Sequence, residues 1–484
     1  MQRAVIQKIL GQLLMIFSIS MIPPMLVGLY FKETDVLASF GSSMVATILM
    51  GLLLWLPCRT KNDDLRLRDG FIVVVLFWTV LSSFGALPFY FSNEIELSLV
   101  NCLFESISAL TTTGATVLTG LDSLPHSILF YRQLLQWLGG MGIIVLAVAI
   151  LPMLGVGGMQ LYRAETPGPV KDSKLTPRIN ETAKALWYIY LSLTIACAYS
   201  YWLAGMSVFD AICHSFSTIA IGGFSTHDLN IEYFNSHSIE WIAILFMLIA
   251  GANFGLHFVA WKNRSIAYYF KDAEFITYVS ILLAVSVVSI LTLSYFHYYS
   301  DYFTVFTKAV FQVVSIGTTT GFTSDGFSLW PTFLPVLLIF ISFIGGCAGS
   351  TGGGMKVIRV LLLFKQGGRE LKRLVHPNAQ FAVKVGKKPV DNRVVEAVWG
   401  FLSAYIAVFI FMMVLLVASG LDQVTAFSAV TATLNNLGPG LGEVSSHYAD
   451  INTFSKLVLC LGMLLGRLEI FTLLVILTPV FWRR

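Results

Sequence analysis

Long apolar runs of transmembrane length alternate with short polar connections along almost the whole chain. Two such runs come first, at roughly 8–30 and 38–57. After them one pattern appears four times: a long apolar run, a shorter one, a weakly polar loop, and another long run. The copies fall near 71–91, 98–111 and 130–155; 185–204, 208–219 and 236–261; 274–295, 303–317 and 333–366; and 394–419, 422–433 and 454–481. About 20 apolar residues carry a helix across the hydrocarbon layer, and the shorter runs reach only part-way. In lipid every backbone polar group must be satisfied inside its own segment, which selects helices here. The pattern therefore predicts ten spanning helices and four half-depth ones, and the even count puts both termini on one side.

Each shorter run ends in a glycine-centred loop. The first reads Thr111-Thr112-Thr113-Gly114-Ala115-Thr116 and the second Ala220-Ile221-Gly222-Gly223-Phe224-Ser225. The third is Thr318-Thr319-Thr320-Gly321-Phe322-Thr323, and the fourth Asn435-Asn436-Leu437-Gly438-Pro439-Gly440. The key glycines lie 109, 98 and 117 residues apart, longer than a solenoid repeat. That spacing fits a unit that crosses the membrane, dips part-way back and crosses again. Glycine opens backbone angles that let successive carbonyls point one way. Four such loops about one axis can replace the water shell of a monovalent cation with carbonyl oxygens. Asp210, Asp301 and Asp422, and Asn101 in the first copy, stand at or near the starts of the short helices. There they can cap free N–H groups. The opposite helix ends, partially negative, then face the interior.

The second long run of the third copy cannot be one helix. Gly345-Gly346-Cys347-Ala348-Gly349-Ser350-Thr351-Gly352-Gly353-Gly354 interrupts it, and each glycine costs about 1 kcal/mol relative to alanine in a helix. Irregular backbone at membrane depth survives only where it lines a cavity, which makes this stretch a candidate gate. It is not a phosphate-binding loop: no strand precedes it and no Gly-Lys-Ser/Thr ends it. Arg467 lies well inside the last span, two positions from Glu469. Side chains two apart on a helix do not meet. Arg467 therefore faces the pore and raises the barrier to cations, hydrogen-bonds carbonyls of the 345–354 stretch, or pairs with an acid of another helix, the pore-facing role being the one expected. Glu105, within the first short helix, is expected to brace it.

Composition agrees with the pattern: 56% of the 484 residues are hydrophobic and only 12% charged, against about 25% charged in soluble domains. All but five of the 31 Lys and Arg lie at Arg3 and Lys8, in 59–68, 163–184, 262–271 and 356–393, and at Arg483-Arg484. The positive-inside rule makes those stretches, and both termini, cytoplasmic. Acids such as Glu33, Asp122, Asp228, Glu232 and Asp325 then mark the outer face, where they concentrate cations. Arg3 and Lys8 precede an apolar run without a small-residue cleavage site, so that segment is expected to stay as a membrane helix. The six cysteines show no CxxC spacing, and the eight histidines no HExxH. Nothing suggests an enzyme, and no prosthetic group or nucleic-acid partner is implied.

With these loops, the leading hairpin and the glycine-rich break, the chain resembles over its whole length the TrkH family, the membrane subunits of bacterial Trk potassium uptake in the Trk/Ktr/HKT superfamily. The resemblance implies an all-α fold: a hairpin over 1–60, then pseudo-symmetric pore units over 61–162, 163–265, 266–390 and 391–484. It implies potassium uptake across the bacterial inner membrane, a homodimer, and control by a TrkA-like cytosolic nucleotide-binding ring. Potassium-filter residues then map onto Thr112, Thr113 and Gly114; Ile221, Gly222 and Gly223; Thr319, Thr320 and Gly321; and Asn436, Leu437 and Gly438. The gate maps onto Gly345, Gly346, Cys347, Ala348, Gly349, Ser350, Thr351, Gly352 and Gly353, with Arg467 as the pore arginine. The basic stretch 356–388 is available to the ring or to anionic lipid. Alternating-access symport coupled to protons or sodium is the competing reading; it ordinarily shows inverted repeats and several broken helices, whereas these repeats run in one orientation and one break is evident.

Overall fold

The computed structural model describes residues 2–60, 67–150, 179–386 and 388–483. The boundary at 61 and 162–163 and the basic stretch 163–178 lie outside the described residues. Apart from a two-residue antiparallel pair (Lys384–Val385 with Lys388–Pro389), the described elements are helices. Five segments are individually long and apolar enough to cross a membrane: Arg3–Phe31, Thr34–Cys58, Arg68–Phe91, Ala273–Tyr295 and Asn392–Ala418. Two bent pairs reach that length when each is taken as one span.

The leading hairpin forms as the apolar pattern requires. Pro23-Pro24 sits in the first turn of Ile22–Phe31, where a missing N–H is harmless. The two helices approach closely: a methyl on Gly11 would lie 2.6 Å from the Gly51 carbonyl oxygen. At the hairpin tip Glu33 accepts hydrogen bonds from the backbone of His126 (2.6 Å) and Ser127 (3.0 Å). It thereby satisfies free donors at the start of the helix His126–Ile150.

The four short helices are Leu99–Leu110, Val208–Ala220, Tyr302–Gly317 and Gln423–Leu434. Their caps are Ser98, Ser207, Asp301 and Asp422, each accepting a backbone N–H. Asp210 is the third residue of its helix and not the cap: its N–H donates to Ser207 Oγ, which in turn donates to the Asp210 carboxylate. Asn101 is not the first cap. It stands inside the first turn as the donor to Ser98, and its own side chain accepts from Lys456 Nζ at 2.9 Å.

Among the described residues three of the long runs are broken, where the apolar pattern predicts one break. The 236–261 run divides into His237–Ala250 and Phe254–Lys262, bent by 89°. Gly251 packs against the Tyr278 hydroxyl, and Asn253 starts a fresh helix by accepting from Gly255 N at 2.7 Å. The 333–366 run stops at Ser342 and resumes at Val357. The 454–481 run divides into Thr453–Arg467 and Phe471–Leu477, bent by 112°. Neither Gly nor Pro marks the last break; Glu469 and Ile470 adopt φ of 53° and 58°. A left-handed conformation costs a non-glycine residue about 1–2 kcal/mol, and here an ion pair of Glu469 with Arg359 holds it. Arg359 and Lys356 are therefore not solvent-facing members of the basic stretch. Arg359 is buried over the Phe401 ring, and Lys356 Nζ donates to the Gly352 carbonyl within the bundle.

Candidate functional site

The four glycine loops share one backbone course although their side chains differ. Two residues before each key glycine the chain turns left-handed: Thr112 (φ 55°), Ile221 (54°), Thr319 (69°) and Asn436 (53°). The glycines follow at φ 82°, 72°, 81° and 99°. They abut one another in cyclic order. A methyl built on Gly114 would stand 2.2 Å from Gly222 O, one on Gly223 2.1 Å from Thr320 O, one on Gly321 2.0 Å from Leu437 O, and one on Gly438 2.7 Å from Thr113 O. The last contact returns to the first loop and closes the ring. One cavity of about 440 Å³ touches all four glycines.

Loops one and three hold themselves. Thr113 Oγ1 meets Thr111 Oγ1 at 2.8 Å, and Thr320 Oγ1 meets Thr318 Oγ1 at 2.7 Å. The fourth loop joins the first through Asn436 Nδ2, which donates to Thr113 Oγ1 at 2.9 Å.

Asp228, Glu232 and Asp325 line the cavity mouth. Burial raises the Glu232 carboxyl above its usual range, and the Asp325 charge adds to the shift. Burial likewise raises Asp325. Both reach full negative charge only above the pH at which free carboxylates do. His227, stacked on Tyr233, lies between Asp122 and Asp210. Burial opposes its protonation, but the two carboxylates prevail and raise its pKa.

On the other side of the ring the 345–354 stretch touches three of the four units. Thr351 Oγ1 donates to Ile219 O (3.0 Å), Gly353 N to Thr319 Oγ1 (2.7 Å) and Gly354 N to Asn435 O (3.1 Å). Arg467 supplies the fourth contact. Its Nη1 lies 3.3 Å from both Thr112 Oγ1 and Thr351 O, while Nη2 donates to the Gly139 and Gly140 carbonyls. Cys347 N donates to Gly251 O, and Gly349 O accepts from Phe254 N, fastening the stretch to the bend of the second unit. Glu274 Oε1 accepts from both Ala348 N (2.7 Å) and Ile358 N (3.2 Å).

Two ion pairs, one buried and one half-buried, brace the loops from behind. Glu105 does more than brace its own helix. It pairs with Arg132 Nε (2.7 Å) and accepts from Val117 N and Thr116 Oγ1, while Arg132 reaches Ser225 O (3.3 Å) in the next loop. In the third unit Lys308 Nζ bonds Glu240 (2.6 Å) and Ser324 O (2.6 Å). Sequence reasoning gave Arg132 and Lys308 no role, yet both belong to the few basic residues outside the cytoplasmic stretches. Removing one partner of a buried pair costs about 3–5 kcal/mol. Arg132→Ala should therefore lower the unfolding temperature of the detergent-purified protein sharply, and the pair replacement Glu105→Gln with Arg132→Met should recover much of it. Equal unfolding temperatures for Arg132→Ala and the parent would refute the bracing role.

These features define a multi-pass, all-α membrane protein built on four capped half-helices around one glycine ring. Residues 38–482 match the family model described as TrkH, cation transport protein. The chain belongs to the TrkH family. It is 59% identical to the Trk system potassium uptake protein TrkH of Vibrio parahaemolyticus over the full length of both chains. It is 57% identical to the protein of that name from Escherichia coli K12 over 99% of each. The crystal structure of the potassium transporter TrkH from Vibrio parahaemolyticus superposes with a TM-score of 0.91, at 56% identity and with both chains wholly covered. These relatives are named as transport proteins, and the chain is a transport protein rather than an enzyme.

Proposed function

We propose that the chain takes up potassium ions across the bacterial inner membrane through a filter formed by the four loops. The observation that carries this reading is the cyclic closure of Gly114, Gly223, Gly321 and Gly438 beneath one acid-lined cavity. A stripped alkali ion there meets carbonyl oxygens from every side, with Thr112–Gly114, Ile221–Gly223, Thr319–Gly321 and Asn436–Gly438 as the contributing stretches. The names of the relatives supply the ion.

The stretch Gly345–Gly353, together with Arg467, acts as the gate, because it lies against the base of the ring and puts a fixed positive charge there. A TrkA-like cytosolic nucleotide-binding ring moves it, the chain works as a homodimer, and both termini face the cytoplasm. Coupled alternating access is the second reading. The breaks at 251–253, 343–356 and 468–470 favour it, and in that case the same ring binds the ion in an occluded state.

Flux into proteoliposomes tests both readings. Potassium and rubidium should enter well ahead of sodium and lithium, at rates unchanged by a pH gradient. Equal entry of all four ions would overturn the filter. Uptake driven by a proton or sodium gradient alone would favour the second reading.

A further inference from the structure

Loops two and four lack the hydroxyl clasp of loops one and three. Where Thr111 pairs with Thr113 and Thr318 with Thr320, the matching positions are Ala220 with Gly222, and Asn435 with Leu437. Neither pair can form the same clasp, yet both loops follow the same backbone course. Something outside each loop must hold it.

The carbonyls show what does. Gln136 Nε2, from the helix His126–Ile150 of the first unit, donates to Gly222 O at 2.6 Å, and Gln136 Oε1 accepts from Phe224 N at 3.3 Å. The two bonds clamp the second loop on either side of its key glycine. Asn230 Nδ2 donates to Gly223 O at 3.2 Å. In the fourth loop the Tyr448 hydroxyl donates to Gly438 O at 2.7 Å. Tyr448 is itself fixed, 1% exposed, packed against Phe104 and tied by its backbone N–H to Thr116 O at 2.7 Å. None of the described residues donates a hydrogen bond to the carbonyls of Thr113, Gly114, Thr320 or Gly321.

A carbonyl oxygen has two lone pairs. An anchored one keeps a lone pair for an ion but loses freedom to follow it. An unanchored one can tilt inward and accommodate a smaller ion. The ring is thus two-fold in its stiffness: loops one and three are clasped through side chains and leave the Thr113, Gly114, Thr320 and Gly321 carbonyls without a donor among the described residues, whereas in loops two and four the Gly222, Gly223 and Gly438 carbonyls are anchored.

We propose that Gln136, Asn230 and Tyr448 are positioning residues that set the preference for potassium over sodium by fixing the Gly222, Gly223 and Gly438 carbonyls. The proposal rests on the filter reading given above. Releasing these oxygens lets the ring contract around sodium.

The test compares potassium and sodium flux in proteoliposomes for Tyr448→Phe, Gln136→Leu and Asn230→Ala, with Gly438→Ser alongside. A net hydrogen bond is worth enough to change an equilibrium about three- to tenfold. Each anchor variant should lower the potassium-to-sodium ratio by that factor, mainly through faster sodium entry. A purely structural role would lower thermal stability and total flux but leave the ratio alone. Tyr448→Phe removes a single oxygen and keeps the ring packing, so it decides the matter if Gln136→Leu fails to fold. An unchanged ratio in folded Tyr448→Phe, with Gly438→Ser reduced, overturns the anchoring proposal alone. An unchanged ratio in both overturns the filter reading and the proposal together.

Discussion

Gly438→Ser should still transport, with its potassium-over-sodium preference reduced by about tenfold, whereas Gly223→Ser should lose both preference and rate. The difference follows from the space at each glycine. At Gly438 a new Cβ would lie 2.7 Å from Thr113 O and 2.9 Å from the Gly114 carbonyl carbon. Both atoms belong to the backbone of the first loop, which must shift to relieve the overlap, though by less than the neighbour of Gly223. At Gly223 it would lie 2.1 Å from Thr320 O and 3.0 Å from the Gly321 carbonyl carbon, and the neighbouring loop must move bodily. Both glycines have positive φ, 99° and 72°, so each substitution adds about 1–2 kcal/mol of backbone strain. Discrimination between two ions is a difference of two binding free energies, and about 1.4 kcal/mol is tenfold. A carbonyl displaced by a fraction of an ångström is enough. Flux of both ions, measured for each variant at matched protein density, checks the expectation. Wild-type ratios in both variants would remove the glycines from the conduction path.

Deleting 346–353 should raise flux in the absence of any partner by at least about tenfold, and Arg467→Ala should raise it by a smaller factor. The deletion is geometrically feasible. Gly345 and Gly354 already touch: a methyl on Gly354 would stand 2.8 Å from the Gly345 Cα and 3.0 Å from its nitrogen. Joining them removes the loop without pulling the flanking helices together. What is lost is every bond from Thr351 and Gly353 to the base of the ring. Contacts of this kind contribute about 1 kcal/mol each, and their sum sets how strongly the closed arrangement is favoured. Arg467→Ala removes bonds to charged nitrogens and the charge itself, but leaves the loop in place. Protein that elutes like the parent yet shows equal or lower flux would refute the gate.

Much of this was legible along the chain. The four key glycines repeat at a nearly constant interval behind short apolar runs, so their equivalent placement could be read from the sequence. The glycine-rich break at 345–354 announced itself through six glycines in ten residues. The breaks at 251–253 and 468–470 did not. One hides behind a single glycine whose close contact is Tyr278, and the other is made by Glu469 and Ile470, which give no turn signal. The Arg359–Glu469 pair that holds it joins residues 110 positions apart. Gln136 and Tyr448 look like ordinary polar residues near a membrane interface, and only the fold brings Gln136 beside Gly222, 86 positions away. Residue type alone does not tell a cap from the third helical residue, the place that Asn101 and Asp210 both take.

Glu274 holds two things with one oxygen: the backbone of the glycine-rich loop at Ala348 and the first turn of the helix Val357–Val375 at Ile358. Neither can shift without straining the other. A force that tilts that basic helix is therefore handed to the glycine-rich loop through this carboxylate and through the Val357 N–H, which donates to the Gly346 carbonyl at 3.1 Å, so the lever between them is one turn long.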